Sequence, residues 1–168
     1  MDGEEALQVR GRRQGRIVIG DSFNLVQPDE AIFGIKDYQQ LAVIRRMVED
    51  LCMPIQVTSA PIHREADGLA MSSRNRYITD EERPKVIVLK DALDWIASQI
   101  KMGNRNFSEL EKAAAEQVEA AGFNVDYLTC SNSKTLDLAA NDDSEITILG
   151  AIFTESARLI DNISLSGS

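Results

Sequence analysis

Histidine is the scarcest reactive residue in this sequence: the 168 residues hold one, His63. A single imidazole excludes any site in this chain built on two, including HExxH metal motifs and HxGH nucleotide motifs. Cysteine is nearly as rare, with Cys52 and Cys130 alone. Two such isolated thiols give neither a disulfide framework nor metal-ligand spacing, and a reducing, cytoplasmic setting is the expectation. No apolar run reaches the roughly 18 residues of a membrane-spanning helix, so no membrane partner is expected. The opening stretch lacks the apolar core of a signal peptide. Residues 1–16, with three glycines among mixed charges, read as a poorly ordered lead-in.

What is present is the balance of a globular protein, 43% hydrophobic and 27% charged. Charge is unevenly spread. Residues 1–76 carry 10 Lys+Arg against 11 Asp+Glu, whereas residues 77–168 carry 8 against 16. The acidic second half argues against nucleic acid as a partner, because phosphate contacts need Lys and Arg. The nearly neutral first half leaves room for a small anion.

Ile17 to Val26 forms a short helix or strand, ended by Pro28. Ala31-Ile32-Phe33, closed by Gly34, reads as a buried strand. Asp37 then opens a helix with Leu41, Ile44, Val48 and Leu51 on its apolar side and Arg45, Arg46, Glu49 and Asp50 mostly opposite. Ile55 to Thr58 reads as a second strand, which makes a parallel βαβ unit. Two strands alone do not make a stable sheet, so further strands are expected from elsewhere. After Asn75 the pattern changes. Thr79 and Glu82 make a capping box, and a helix beginning near Pro84 carries Leu89, Leu93, Ile96 and Ile100 to Gly103. Ser108 with Glu111 reads as a second capping box, opening a helix that stops at Gly122. Val125 to Cys130, Glu145 to Phe153 and Ala157 to Ile163 read as strands, the last two as a hairpin. Antiparallel pairing is expected there.

Two segments carry chemistry. Gly34-Ile35-Lys36-Asp37 joins the carboxyl end of a strand to a helix, where ligands of parallel sheets bind. Gly34 admits close backbone approach, Lys36 is a mobile cation, and the helix start suits an anion. The competing reading is a plain helix cap, with Asp37 as N-cap and Gln40 completing a capping box. In Asp67-Gly68-Leu69-Ala70-Met71-Ser72-Ser73-Arg74-Asn75, two hydroxyls and a guanidinium suit a polyphosphate. Gly68 would let such a loop move over a nucleotide. The competing reading is a polar linker between domains.

Together, FGIKDYQQ and the following helix LAVIRRMVEDL, then PI, then READGLAMSSRN, are closely similar to the pantoate–β-alanine ligases, also called pantothenate synthetases. FNLVQPDEAIFG and ESARLIDN resemble that family too, and the likeness runs over about residues 22–164. It implies an α/β fold class: a partial Rossmann-like parallel βαβ remnant over residues 17–70, then a small α+β domain with an antiparallel sheet over residues 71–168. It also implies a reaction. Pantoate is activated by ATP to pantoyl adenylate, with Mg2+ assisting the phosphates, and the amine of β-alanine then expels AMP. By resemblance, Gly34, Ile35, Lys36, Asp37, His63, Met71, Ser72, Ser73 and Arg74 contact ATP, and Gln40 holds pantoate. Lys36, Ser72 and Arg74 are the expected catalytic residues. His63 falls where the family offers mainly backbone to adenine, so it is not read as a general base. No metal ligand is assigned.

There are two departures. Ile35 stands where the family usually has Glu or Gln, and residues 1–21 match the family's HxGH-bearing first half poorly. The chain is therefore read as the later portion of such a ligase, catalytically deficient alone. An alternative is a non-catalytic ATP-binding or dimerising module, a homodimer being the family's usual assembly. A third is a structural domain whose motifs are relics.

Overall fold

A computed structural model of the chain describes residues 19–166; the lead-in expected over residues 1–16 lies outside them. The chain divides into two compact units, Met1–Pro61 and Ile62–Ser168.

In the first unit, residues 19–26 are helical (α1). Strand β1 (Glu30–Gly34) runs into a tight 3-10 turn, Ile35–Asp37, and then α2 (Tyr38–Asp50) and β2 (Gln56–Ala60) follow. The strands pair in parallel, from Glu30 opposite Gln56 to Gly34 opposite Ala60, as the βαβ reading required. Leu41 and Ile44 are buried on α2, while Arg45, Arg46, Glu49 and Asp50 face water. Phe23 of α1 meets Phe33 of β1 edge-on, with ring centroids 6.2 Å apart. Three expectations fail locally. Strand β1 is not the buried strand expected: Ile32 is exposed, and Ala31 and Phe33 are half-buried. Leu51 leaves the apolar stripe because it is the C-cap of α2, and it is exposed. Asp37 makes no side-chain cap. The preceding 3-10 turn holds it at ψ 60°, away from the extended conformation from which an N-cap carboxylate reaches back.

In the second unit, β3 (Asn124–Asn132), β4 (Glu145–Phe153) and β5 (Arg158–Ser166) form an antiparallel sheet with β4 central. Helices α3 (Val88–Lys101) and α4 (Phe107–Ala120) supply the core that meets it. Leu93, Ile96, Ala114 and Val118 pack with Cys130, Ile146, Ile148 and Ile152 in that core. Close approach of α3 to β4 is possible because position 150 is glycine: a Cβ there would stand 2.8 Å from Leu89 Cδ1. The fold class is as expected, a parallel two-stranded unit followed by an antiparallel three-stranded sheet.

The capping box at Thr79 forms: Glu82 N–H donates to Thr79 Oγ1 at 3.2 Å, and Thr79 N–H to Glu82 Oε2 at 3.2 Å. It opens a run of turns, however, and α3 starts at Val88 rather than at Pro84. The box at Ser108 does not form. Helix α4 begins one residue earlier, at Phe107. The Glu111 carboxylate instead accepts the Cys130 N–H at 2.7 Å, tying α4 to β3. Burial there pushes the Glu111 carboxyl upward. Burial, with the Glu111 charge beside it, pushes the Cys130 thiol up to about 12.

Three helices end alike. At α3, Gly103 N–H donates to Ile100 O and Asn104 N–H to Gln99 O, each at 3.0 Å. At α4, Gly122 and Phe123 repeat that pairing on Glu119 and Val118. Gly103 and Gly122 take the left-handed φ of +92° and +94° that this ending demands. At α2 the same pairing puts Cys52 at φ +48°, without the freedom of glycine.

Candidate functional site

The expected site residues fall into two groups, one in each unit. Gly34, Ile35, Lys36 and Asp37 are contiguous at the junction of β1 with α2, and Gln40 follows in the first turn of α2. Gly34 ends β1 at φ −66° and ψ 130°, a conformation open to any residue. A Cβ at Gly34 would meet no heavy atom within 4 Å. Nothing in the fold, then, requires glycine at this position. Gly34 and Gln40 are exposed, whereas Ile35 and Lys36 are half-buried. The first turn of α2 holds no acidic residue, and Asp37 at its N-cap makes no side-chain hydrogen bond to it. The exposed Asp37 carboxylate is not spent on the helix.

His63, Met71, Ser72, Ser73 and Arg74 lie on one excursion of the second unit. Its stem is a short antiparallel bridge, with Glu65 N–H donating to Leu69 O and Met71 N–H to His63 O, each at 2.8 Å. Its tip is a turn in which Gly68, at φ +92°, donates its N–H to Glu65 O at 2.9 Å. Gly68 is thus fixed by turn geometry, and the turn is pinned. Arg64 Nη1 donates to Gly68 O at 3.0 Å, and the Arg64 guanidinium grips the buried Asp161 carboxylate at 2.7 and 3.1 Å. Beyond the stem, Ser72 Oγ accepts the Arg74 N–H at 3.2 Å and starts a 3-10 turn, Ser73–Tyr77. The Met71, Ser73 and Arg74 side chains are exposed, as is His63. The Ser73 hydroxyl and the Arg74 guanidinium are therefore displayed on a braced segment, with the half-buried Ser72 hydroxyl beside them, an arrangement suited to a polyphosphate.

The bracing residues were not singled out from the sequence. Arg83 reaches back 18 positions to Glu65, and Arg64 reaches 97 positions to Asp161. Asn75 and Glu65 lie inside the quoted READGLAMSSRN segment, but their local pairing at 2.5 Å has no periodic signature.

The sequence profile of the family described as Pantoate-beta-alanine ligase matches residues 15–164. The chain belongs to the pantoate–β-alanine ligase family. A pantothenate synthetase of Saccharophagus degradans is 61% identical over 149 residues, 89% of this chain and 52% of the relative. Among solved structures, a pantothenate synthetase of Thermus thermophilus superposes with a TM-score of 0.81 at 41% identity, over 87% of this chain and 53% of that one. The pantoate–β-alanine ligase of Francisella tularensis, solved with beta-gamma ATP and β-alanine, gives a TM-score of 0.57 at 23% identity, over 89% and 48%. At that identity the likeness is one of fold. The chain spans about half the length of the curated relatives it matches. Among the described residues, no helix is long and apolar enough to cross a membrane, and no group of three or more His, Cys, Asp or Glu could hold a metal ion.

Proposed function

We propose that this chain carries the nucleotide- and pantoate-facing later portion of a pantoate–β-alanine ligase site. In this reading ATP activates the carboxylate of pantoate as an adenylate, releasing pyrophosphate, and the amine of β-alanine then displaces AMP to give pantothenate. Family membership supports the chemistry, and local geometry supports each group. The observation that carries the assignment is Gly34, a glycine that the fold itself does not need, beside a lysine and the start of α2.

Lys36, Ser72 and Arg74 take the catalytic roles, stabilising charge that builds on the phosphates during adenylation. By family resemblance, Gly34, Ile35 and Asp37 of the first unit are assigned to the nucleotide, and so are His63, Met71 and Ser73 of the second. His63 contributes through its backbone, whose carbonyl also accepts the Met71 N–H. Gln40, exposed on the first turn of α2, donates its amide to pantoate. Mg2+ would come with the nucleotide and offset the charge of its phosphates, and the exposed Asp37 carboxylate would be the group here to help hold it. Two free cysteines, one exposed and one buried, suit a reducing cytoplasm.

With one histidine, the chain cannot itself supply a pair of imidazole donors to the α-phosphate. Loss of such a preorganised donor typically costs about 10²-fold or more in rate. That observation favours a second reading, in which the chain binds ATP alone or as a homodimer but turns over feebly. Calorimetric titration with ATP, repeated on Lys36→Ala and Arg74→Ala, tests the nucleotide assignment: saturable heat is expected, weakened at least tenfold by either change. Absence of heat, or indifference to both substitutions, overturns it. Pyrophosphate release from ATP and pantoate then separates the two readings, and a rate matching a full-length relative would refute the feeble one.

A further inference from the structure

The segment Met71–Arg74 is closed at its base by one side chain. Asn75 Nδ2 reaches back to the carbonyl of Ala70 at 3.1 Å, bringing together the residues on either side of the segment. The same Nδ2 donates to Glu65 Oε1 at 2.5 Å. Both partners are acceptors, which fixes the orientation of the amide. Glu65 is held in turn: Arg83 Nη2 sits 2.5 Å from Glu65 Oε2 and 2.8 Å from Asp67 Oδ2. Arg83 stands on firm ground. Its neighbour Glu82 closes the Thr79 capping box and also accepts the Glu155 N–H at 2.9 Å, from the turn between β4 and β5. Ser156 Oγ donates to Tyr77 O at 3.0 Å from that same turn. A chain of bonds therefore runs from the sheet, through Arg83 and Glu65, to the amide that closes the serine–arginine segment.

We infer that Asn75, Glu65 and Arg83 form a clasp that presets the Ser72, Ser73 and Arg74 donors for the phosphates of ATP. These are positioning residues, acting through the segment rather than on the nucleotide. The inference deepens the nucleotide assignment above and rests on it. Holding donors in place before the ligand arrives removes the ordering cost from binding. Arg83 also neutralises two carboxylates at the root of an anion-binding segment, which would otherwise oppose the phosphates.

Asn75→Asp keeps the shape of the side chain and removes its two donated hydrogens. The segment is expected to lose its closure, with amide hydrogen exchange of residues 71–75 at least tenfold faster and ATP binding about tenfold weaker. Exchange in β3, β4 and β5 should hold, which separates an open clasp from general unfolding. The decisive variant is the double change Glu65→Gln with Asn75→Asp. There the new amide at position 65 can donate to the new carboxylate at position 75. One bond is restored with its direction reversed, and several-fold of the lost affinity and protection should return. Glu65→Gln alone, which still offers Asn75 an oxygen but weakens the hold of Arg83, should show a smaller loss. Unchanged exchange of residues 71–75 in Asn75→Asp, or equal acceleration throughout the sheet, overturns the clasp. So does a double variant no better than the single. Should the unsubstituted chain bind no ATP, the nucleotide assignment falls, and the clasp is judged on hydrogen exchange alone.

Discussion

Replacing Gly34 by alanine separates what the fold needs from what the ligand needs. At φ −66° and ψ 130° alanine sits without strain, and its methyl group meets no heavy atom within 4 Å. Glycine to alanine at a compatible position stabilises a protein by about 0.4–1 kcal/mol, because the unfolded chain has less freedom to lose. The first unit should therefore melt at slightly higher urea. ATP should respond in the opposite sense. If the nucleotide lies against the backbone at Gly34, a methyl group forced into that contact costs about 1–3 kcal/mol, or roughly five- to 150-fold in affinity at 1.4 kcal/mol per tenfold. Urea denaturation followed by circular dichroism, paired with ATP titration of the same samples, reads both quantities. A stability loss would show that the apparent space at Gly34 is filled. Unchanged affinity would show that the nucleotide stays clear of this glycine, and would remove the observation on which the functional reading leans most.

Gly150→Ala should behave conversely: its Cβ would press on Leu89, Leu128 and Leu93 at 2.8, 3.0 and 3.2 Å inside the core. A loss of about 1–3 kcal/mol is expected in denaturant melts. Glu111 gives a pH dependence. Burial raises its folded pKa above the ordinary 4.5, so its contribution favours the fold below pH 4.5 and is lost as pH rises through the raised value. Glu111→Gln retains an acceptor for the Cys130 N–H while removing the charge. It should raise the melting temperature at pH 7 relative to the unsubstituted chain, and the gap should close as pH falls below 4.5.

Much of this architecture was legible because it rests on periodicity. The stripe of Leu89, Leu93, Ile96 and Ile100 announces α3, and all four residues are buried as it requires. The largely apolar run within Glu145 to Phe153 announces a strand, and Ile146 to Ile152 are all buried in it. Caps were harder to read. Thr79, Asp37 and Ser108 carry equally good capping signatures, yet only the first forms its box. Asp37 is displaced by a 3-10 turn, and Glu111, which the Ser108 box would have used, is captured by a strand 19 positions away. Tertiary partners decide such contests, and local sequence does not contain them. The site divides in the same way. The residues that family resemblance assigns to ATP and pantoate lie close together in sequence, from Gly34 to Gln40 and from His63 to Arg74, so motifs suffice to propose them. The clasp depends on Arg83, whose partners at Glu65 and Asp67 become neighbours only after folding.

The left-handed ending of α2 has a spectroscopic consequence. It leaves Cys52 exposed on the first unit, while the other thiol, Cys130, is buried and protonated at neutral pH. A maleimide dye should therefore attach at one place with no engineering. The chain also has a single tryptophan, Trp95, on α3 of the second unit. Indole emission and one thiol-bound acceptor thus form a native donor–acceptor pair with one member on each unit. Energy transfer between them would report the distance from one unit to the other in solution, and any change in that distance as nucleotide is added.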